Sequence, residues 1–147
     1  MKDLPVERDG VPAVVRTDFT NDELWGQVKA VVIEGAEDES PIDDPDAASE
    51  TWYFVFVDDA DYAGATPDQL RHAVPDSVHQ KVIFVVDDST FSDPDRVIRA
   101  VHVASKMEFR LLPELAYVVW VNLFQDNLNF DDFAESAASD SEGIYRR

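Results

Sequence analysis

Two segments of the chain, TWYFVFV at 51–57 and KVIFVV at 81–86, are apolar at nearly every position. That is the pattern of strands covered on both faces, since strict alternation would mark a half-exposed strand. Both are predicted as central strands, parallel and neighbouring. VPAVVR at 11–16 is a β-branched run that ends at a charge, and it predicts a first strand. Between these runs the period lengthens. Leu24, Val28, Val31 and Val32 recur at helical spacing. Thr20 with Glu23 has capping-box spacing, and Phe19 with Leu24 makes a hydrophobic staple, so a helix is predicted from about Asn21 to Ile33. Thr66, Pro67 and Gln69 supply the cap, first-turn proline and box partner of a short helix that Pro75 closes. Strand, helix and strand over 51–86 form a parallel βαβ unit.

RVIRAVHVA at 96–104 and EFRLL at 108–112 predict a hairpin turning near Ser105 and Lys106. Val97, Val101 and Ala104 also fit a helical period, and β-branched content decides for strand. PELAYVVWVNLF at 113–124 predicts a helix that is apolar nearly all round, and Asn129 with Asp132 starts a last short helix carrying Phe130, Phe133 and Ala137. The expected fold is a single α/β domain over 1–147. It has a mixed sheet of about five strands, a central parallel βαβ unit, a C-terminal hairpin and packed helices, with the last few residues frayed.

Composition narrows the chemistry. With 147 residues, 45% of them apolar and 16 aromatic, the chain is long enough for one core and too apolar for disorder. The absence of cysteine removes disulfides, thiolate nucleophiles, iron–sulfur clusters and Cys-based zinc sites. No run approaches the roughly 18 apolar residues of a membrane span, and MKDLPVERDG lacks the apolar core of a secretory signal, so the expected location is cytoplasmic.

The net charge of −19 is concentrated in two stretches, 34–50 with eight acidic residues and 126–142 with six, neither holding an acid's basic counterpart. Such a field repels nucleic-acid phosphates and anionic membranes, and suits a basic protein partner, a divalent cation or simple solvation. The first stretch, EGAEDESPIDDPDAASE, includes Gly35, Pro41 and Pro45, shows no period, and is expected to be a mobile acidic loop.

The five glycines at 10, 26, 35, 64 and 143 are too far apart for a phosphate-cradling loop, and no GxSxG or HExxH occurs. His72, His79 and His102 are expected on a helix surface, in a turn and on a strand face. The paired aspartates are the remaining candidates. FVFVDDADY at 54–62 and IFVVDDSTF at 83–91 each drive an apolar run into two carboxylates. On parallel strands, Asp58, Asp59, Asp87 and Asp88 would share the carboxyl edge of the sheet, with Tyr62 and Thr90 nearby, and could hold Mg²⁺ or Ca²⁺ for phosphoryl chemistry. The competing expectation is that each pair heads an Asx turn or caps a helix. The arrangement resembles a response-regulator receiver domain. It departs from one in order, because Thr90 shares the loop of the second pair and Lys106 follows an antiparallel strand.

A wider resemblance covers nearly the whole chain. RTDF at 16–19, Trp25, FVDDADYAGATPDQL at 56–70, FVVDD at 84–88, FRLLP at 109–113, NLNFDDFAES at 127–136 and EGIYR at 142–146 resemble a family of small bacterial proteins, frequent in actinobacteria, known as a domain of unknown function. The resemblance implies a single α/β domain and carries no cofactor or catalytic residue. With no catalytic constellation in the chain, the expected function is a non-enzymatic acidic interaction module of immunity or adaptor kind. Its contact residues would be Tyr117, Trp120 and Phe124 on the apolar helix, with Asp43, Asp44 and Asp46 of the acidic loop steering a basic protein partner. Self-association through the same helix and adaptation to salt are further possibilities, and the four-aspartate metal site is the alternative.

Overall fold

The computed structural model describes residues 1–6, 11–40 and 53–147. Six strands form one mixed sheet: β1 (Ala13–Arg16), β2 (Val55–Val57), β3 (Val82–Val86), β4 (Ile98–His102), β5 (Glu108–Leu111) and β6 (Ile144–Tyr145), in spatial order β2-β1-β3-β4-β5-β6. The described residues also form five α-helices: α1 (Asp22–Glu39), α2 (Pro67–His72), α3 (Asp88–Ser92), α4 (Ala116–Phe124) and α5 (Phe130–Ala138).

β1 pairs in parallel with both β2 and β3, β4 runs antiparallel between β3 and β5, and β6 adds in parallel to β5. The predicted βαβ unit is therefore present, but β2 and β3 are not neighbours. β1 lies between them, and β2 is an edge strand. Phe56 packs 6.2 Å from Trp25 of α1, while Val55 and Val57 belong to the core layer on the other face of the sheet. β3 is buried at all five positions, as an apolar run covered on both faces should be. The hairpin β4–β5 forms as expected.

The pleat of the sheet divides the core. Val14, Phe84 and Val86 face one layer with Trp25, Val28 and Val32 of α1 and Val119 of α4, while α5 contributes Phe130 and Phe133. Val15, Ile83 and Val85 face the other layer with Leu4, Val6, Tyr62 and Leu70.

Two boundaries differ from the sequence expectation. α1 is capped by Asn21 rather than Thr20, because the Thr20 hydroxyl and amide both donate to Asp18 Oδ1 in a turn of their own. The helix also continues to Glu39 and takes the first six residues of the expected loop. Gly35 sits there because the chain beneath is close: a β-carbon on it would lie 2.1 Å from the carbonyl oxygen of Glu114. What breaks a helix in composition here permits its packing. Residues 41–50, with Asp43, Asp44 and Asp46, lie outside the described residues. Ile144 and Tyr145 extend the sheet, and Arg147 pairs with Glu39.

Candidate functional site

The parallel strands place both aspartate pairs at the carboxyl edge of the sheet, and there each side chain has its own partner. Asp58 accepts from Arg16 Nη1 at 3.2 Å. Arg16 is 2% exposed, lies against the Phe19 ring, and also donates to Asp22 and to the carbonyl of Asp18. Asp59 caps the short turn Ala60–Tyr62 by accepting from the Asp61 amide at 2.9 Å, and pairs with Lys2, which holds its carboxyl below the usual range. Tyr62, fully buried, donates to the carbonyl of Asp3 at 2.7 Å. DDADY is thus the dock for the N-terminal segment, whose Leu4 and Val6 complete one layer of the core.

Asp87 caps α3 in a capping box with Thr90, accepts from Ser89 Oγ at 2.7 Å, and pairs with Arg99 at 3.4 Å. Burial opposes its ionisation. The Ser89 and Thr90 hydrogen bonds and the Arg99 charge outweigh that and hold the carboxyl below its ordinary value. Asp88 accepts from the Ser89 amide at 3.0 Å. Asp59 and Asp87 therefore cap separate turns, the Thr90 hydroxyl is committed to the Asp87 cap, and the Tyr62 hydroxyl to the N-terminal segment. Among the described residues no group of three His, Cys, Asp or Glu side chains could hold a metal ion. Nothing in this geometry supports the divalent-metal alternative. A crevice of about 470 Å³ does lie between β1 and β3, lined by Asp18, Asp87 and Asp88 with Thr17 and Thr20.

The larger concavity is at the opposite end of the sheet, where β3 begins and β4 ends. About 660 Å³ in volume, it runs between the 74–81 connection and the last turns of α4. Val74, Val78, Trp120 and Phe124 form its apolar wall, and Arg71, Lys81, Asp76 and Asp126 its polar one.

α4 is not buried all round. Ala116, Val118, Val119 and Leu123 enter the core, while Tyr117, Trp120 and Phe124, at spacings of three and four, share the outer face. Their rings form a ladder, with Tyr117 to Trp120 at 5.5 Å and Trp120 to Phe124 at 5.3 Å. Phe124 is 52% exposed, and Leu128 beyond it is also exposed. Tyr53 extends the ladder to Tyr117 at 5.7 Å, and its hydroxyl donates to the carbonyl of Ser40 at 2.6 Å. Ser40 and Tyr53 therefore meet at the Tyr117 end of the ladder. Lys81 Nζ caps α4 by donating to the carbonyl of Leu123 at 2.7 Å and pairs with Asp126.

His72 is exposed on α2 and His79 precedes β3. His102 stacks on Phe130 at 4.6 Å from β4 with burial depressing its pKa. Sequence reasoning had named Trp120 and Phe124 from the apolar run alone. It missed Arg71 and Lys81 beside them, because only the return of the chain from α2 into β3 sets those two against α4.

The fold and its surface define a single-domain mixed α/β protein with an aromatic ladder on the outer face of α4, open to solvent at Phe124. Over residues 11–147 the chain matches the family described as Domain of unknown function (DUF6924), and it belongs to that family. No curated protein and no solved structure matches it. No helix among the described residues is long and apolar enough to cross a membrane.

Proposed function

We propose that this protein is a non-enzymatic, cytoplasmic interaction module that binds a basic protein partner through the outer face of α4. The observation that carries the reading is the Tyr117–Trp120–Phe124 ladder, a contiguous aromatic stripe left open to solvent at Phe124 on a helix whose other face is core. Aromatic residues in that setting are the anchors of protein interfaces, since each contributes a large area with few rotors to order. Charge selects the partner. A second copy would bring −19 against −19, whereas a basic protein is attracted, and Asp43, Asp44 and Asp46 lie in the sequence between Ser40 and Tyr53.

Capture from the native host, compared across variants, tests this. Wild type is expected to retain a basic protein that Phe124→Ser loses at any salt, and that deletion of residues 41–50 weakens mainly at low salt. A captured set unchanged by both alterations contradicts the reading.

A further inference from the structure

The polar lining of the 660 Å³ cavity is not explained by an aromatic docking face. Arg71 is 11% exposed. Its Nη2 donates to Asp68 at 2.7 Å, while its Nη1 is buried with no hydrogen-bond partner. Buried guanidinium nitrogens in folded proteins have acceptors, so an unmatched one in a side chain that lines a cavity is a feature to be accounted for. Lys81 lines the same cavity and uses two of its three ammonium donors, on Leu123 and Asp126. Of the two carboxylates on the wall, Asp126 is engaged by Lys81 and Asp76 is exposed. The contrast within the molecule is sharp, since the crevice at the other end of the sheet is lined by Asp18, Asp87 and Asp88 and by no cation. The volume falls within the roughly 300–1,000 Å³ of small-molecule sites, and an apolar wall with a few convergent polar groups is their usual construction.

We propose that this cavity binds a small organic anion with a flat apolar body, of the aromatic carboxylate class. The anionic group accepts from the Arg71 guanidinium and the remaining Lys81 donor, and the body lies against Trp120 and Phe124. The proposal goes beyond the interaction reading, although it shares those two aromatic residues. The two separate experimentally, because partner capture depends on Phe124 and on the acidic stretch and does not require Arg71.

The test uses benzoate as the probe, with benzyl alcohol and benzylamine as its neutral and cationic counterparts. Binding is read from the indole N–H signal of Trp120, assigned with Trp120→Phe. Benzoate is expected to shift that signal saturably and to bind at least about tenfold more tightly than benzyl alcohol, the margin of one charge-assisted hydrogen bond. Arg71→Gln is expected to erase the difference, and Asp68→Asn, which releases the guanidinium from its carboxylate, to preserve or increase it. Should Arg71→Gln fail to fold, Lys81→Gln is read in its place, with a several-fold loss for benzoate alone. Equal binding of benzoate and benzyl alcohol, a preference that survives Arg71→Gln (or Lys81→Gln where that variant is read in its place), or no saturable shift overturns the proposal.

Discussion

Alanine introduced at two glycines of the same helix should move stability in opposite directions. Gly26 and Gly35 both lie within α1, and in an exposed helix interior replacing Gly by Ala stabilises by about 0.8–1.0 kcal/mol. At Gly26 a new β-carbon meets nothing within 4 Å, so Gly26→Ala should gain that full amount. At Gly35 the same β-carbon would stand 2.1 Å from the oxygen, 2.7 Å from the carbon and 2.8 Å from the Cα of Glu114, all nearer than the 3.0 Å below which real β-carbons essentially never come. These are backbone atoms of the turn Pro113–Leu115 that leads into α4, and they cannot rotate away. Overpacking costs about 1–3 kcal/mol, and a clash with fixed backbone belongs at the upper end. Set against the propensity gain, the net loss for Gly35→Ala is about 2 kcal/mol. At roughly 2–4 °C per kcal/mol for a chain of this size, Gly26→Ala should melt about 3 °C above wild type and Gly35→Ala about 6 °C below it. Urea titration should give the same order in midpoint with an unchanged slope. If Gly35→Ala proves as stable as wild type, α1 does not pack on that turn as described.

The pairs at the carboxyl edge give further expectations, checked together by titration and calorimetry. Asp87→Ala should cost about 1 kcal/mol at pH 7 through loss of the helix cap. Because the native carboxyl is held below 3.8, that stabilisation is complete above the unfolded value and is lost as pH falls through the native one, so the two proteins should converge in strong acid. His102 is depressed by burial below 6.5, so its neutral form belongs to the native state, with full effect above 6.5 and loss as pH drops. His102→Phe should flatten the fall in stability between about pH 6.5 and 5, and parallel pH curves would show that folding leaves the titration of the ring unchanged. Mg²⁺ or Ca²⁺ should raise the melting temperature no more than sodium chloride of equal ionic strength, and Asp59→Asn with Asp87→Asn should leave the heats of titration unchanged. A saturable heat lost in that double variant would restore the metal reading.

What could be read along the chain was local chemistry. The capping boxes at Thr66 and Asn129, the hairpin between Ile98 and Leu111 and the fully buried run of β3 follow from a few adjacent residues, and all are present. What could not be read depends on contacts distant in sequence. An apolar run looks the same whether strands flank it on both sides, as with β3, or it forms the edge of the sheet with its side chains divided between two core layers, as with β2. Gly35 counts as a breaker by composition and acts as a spacer against Glu114, seventy-nine positions away. Two residues of β6 carry no pattern of their own. At the site, the aspartate pairs were correctly expected on one edge, but the cations that occupy them, Lys2, Arg16 and Arg99, arrive from three other elements. Trp120 and Phe124 stood out in the sequence. Their exposure did not, because α4 is apolar on both its buried and its open face.

Photo-crosslinking in the native host is the most direct test of the interaction reading, with a benzophenone side chain placed at Phe124 and, as a control on another exposed apolar residue, at Met107. The account predicts one discrete adduct from position 124, containing a basic protein and absent from position 107. An adduct that is a second copy of this chain, or labelling that is equally diffuse at the two positions, would contradict it.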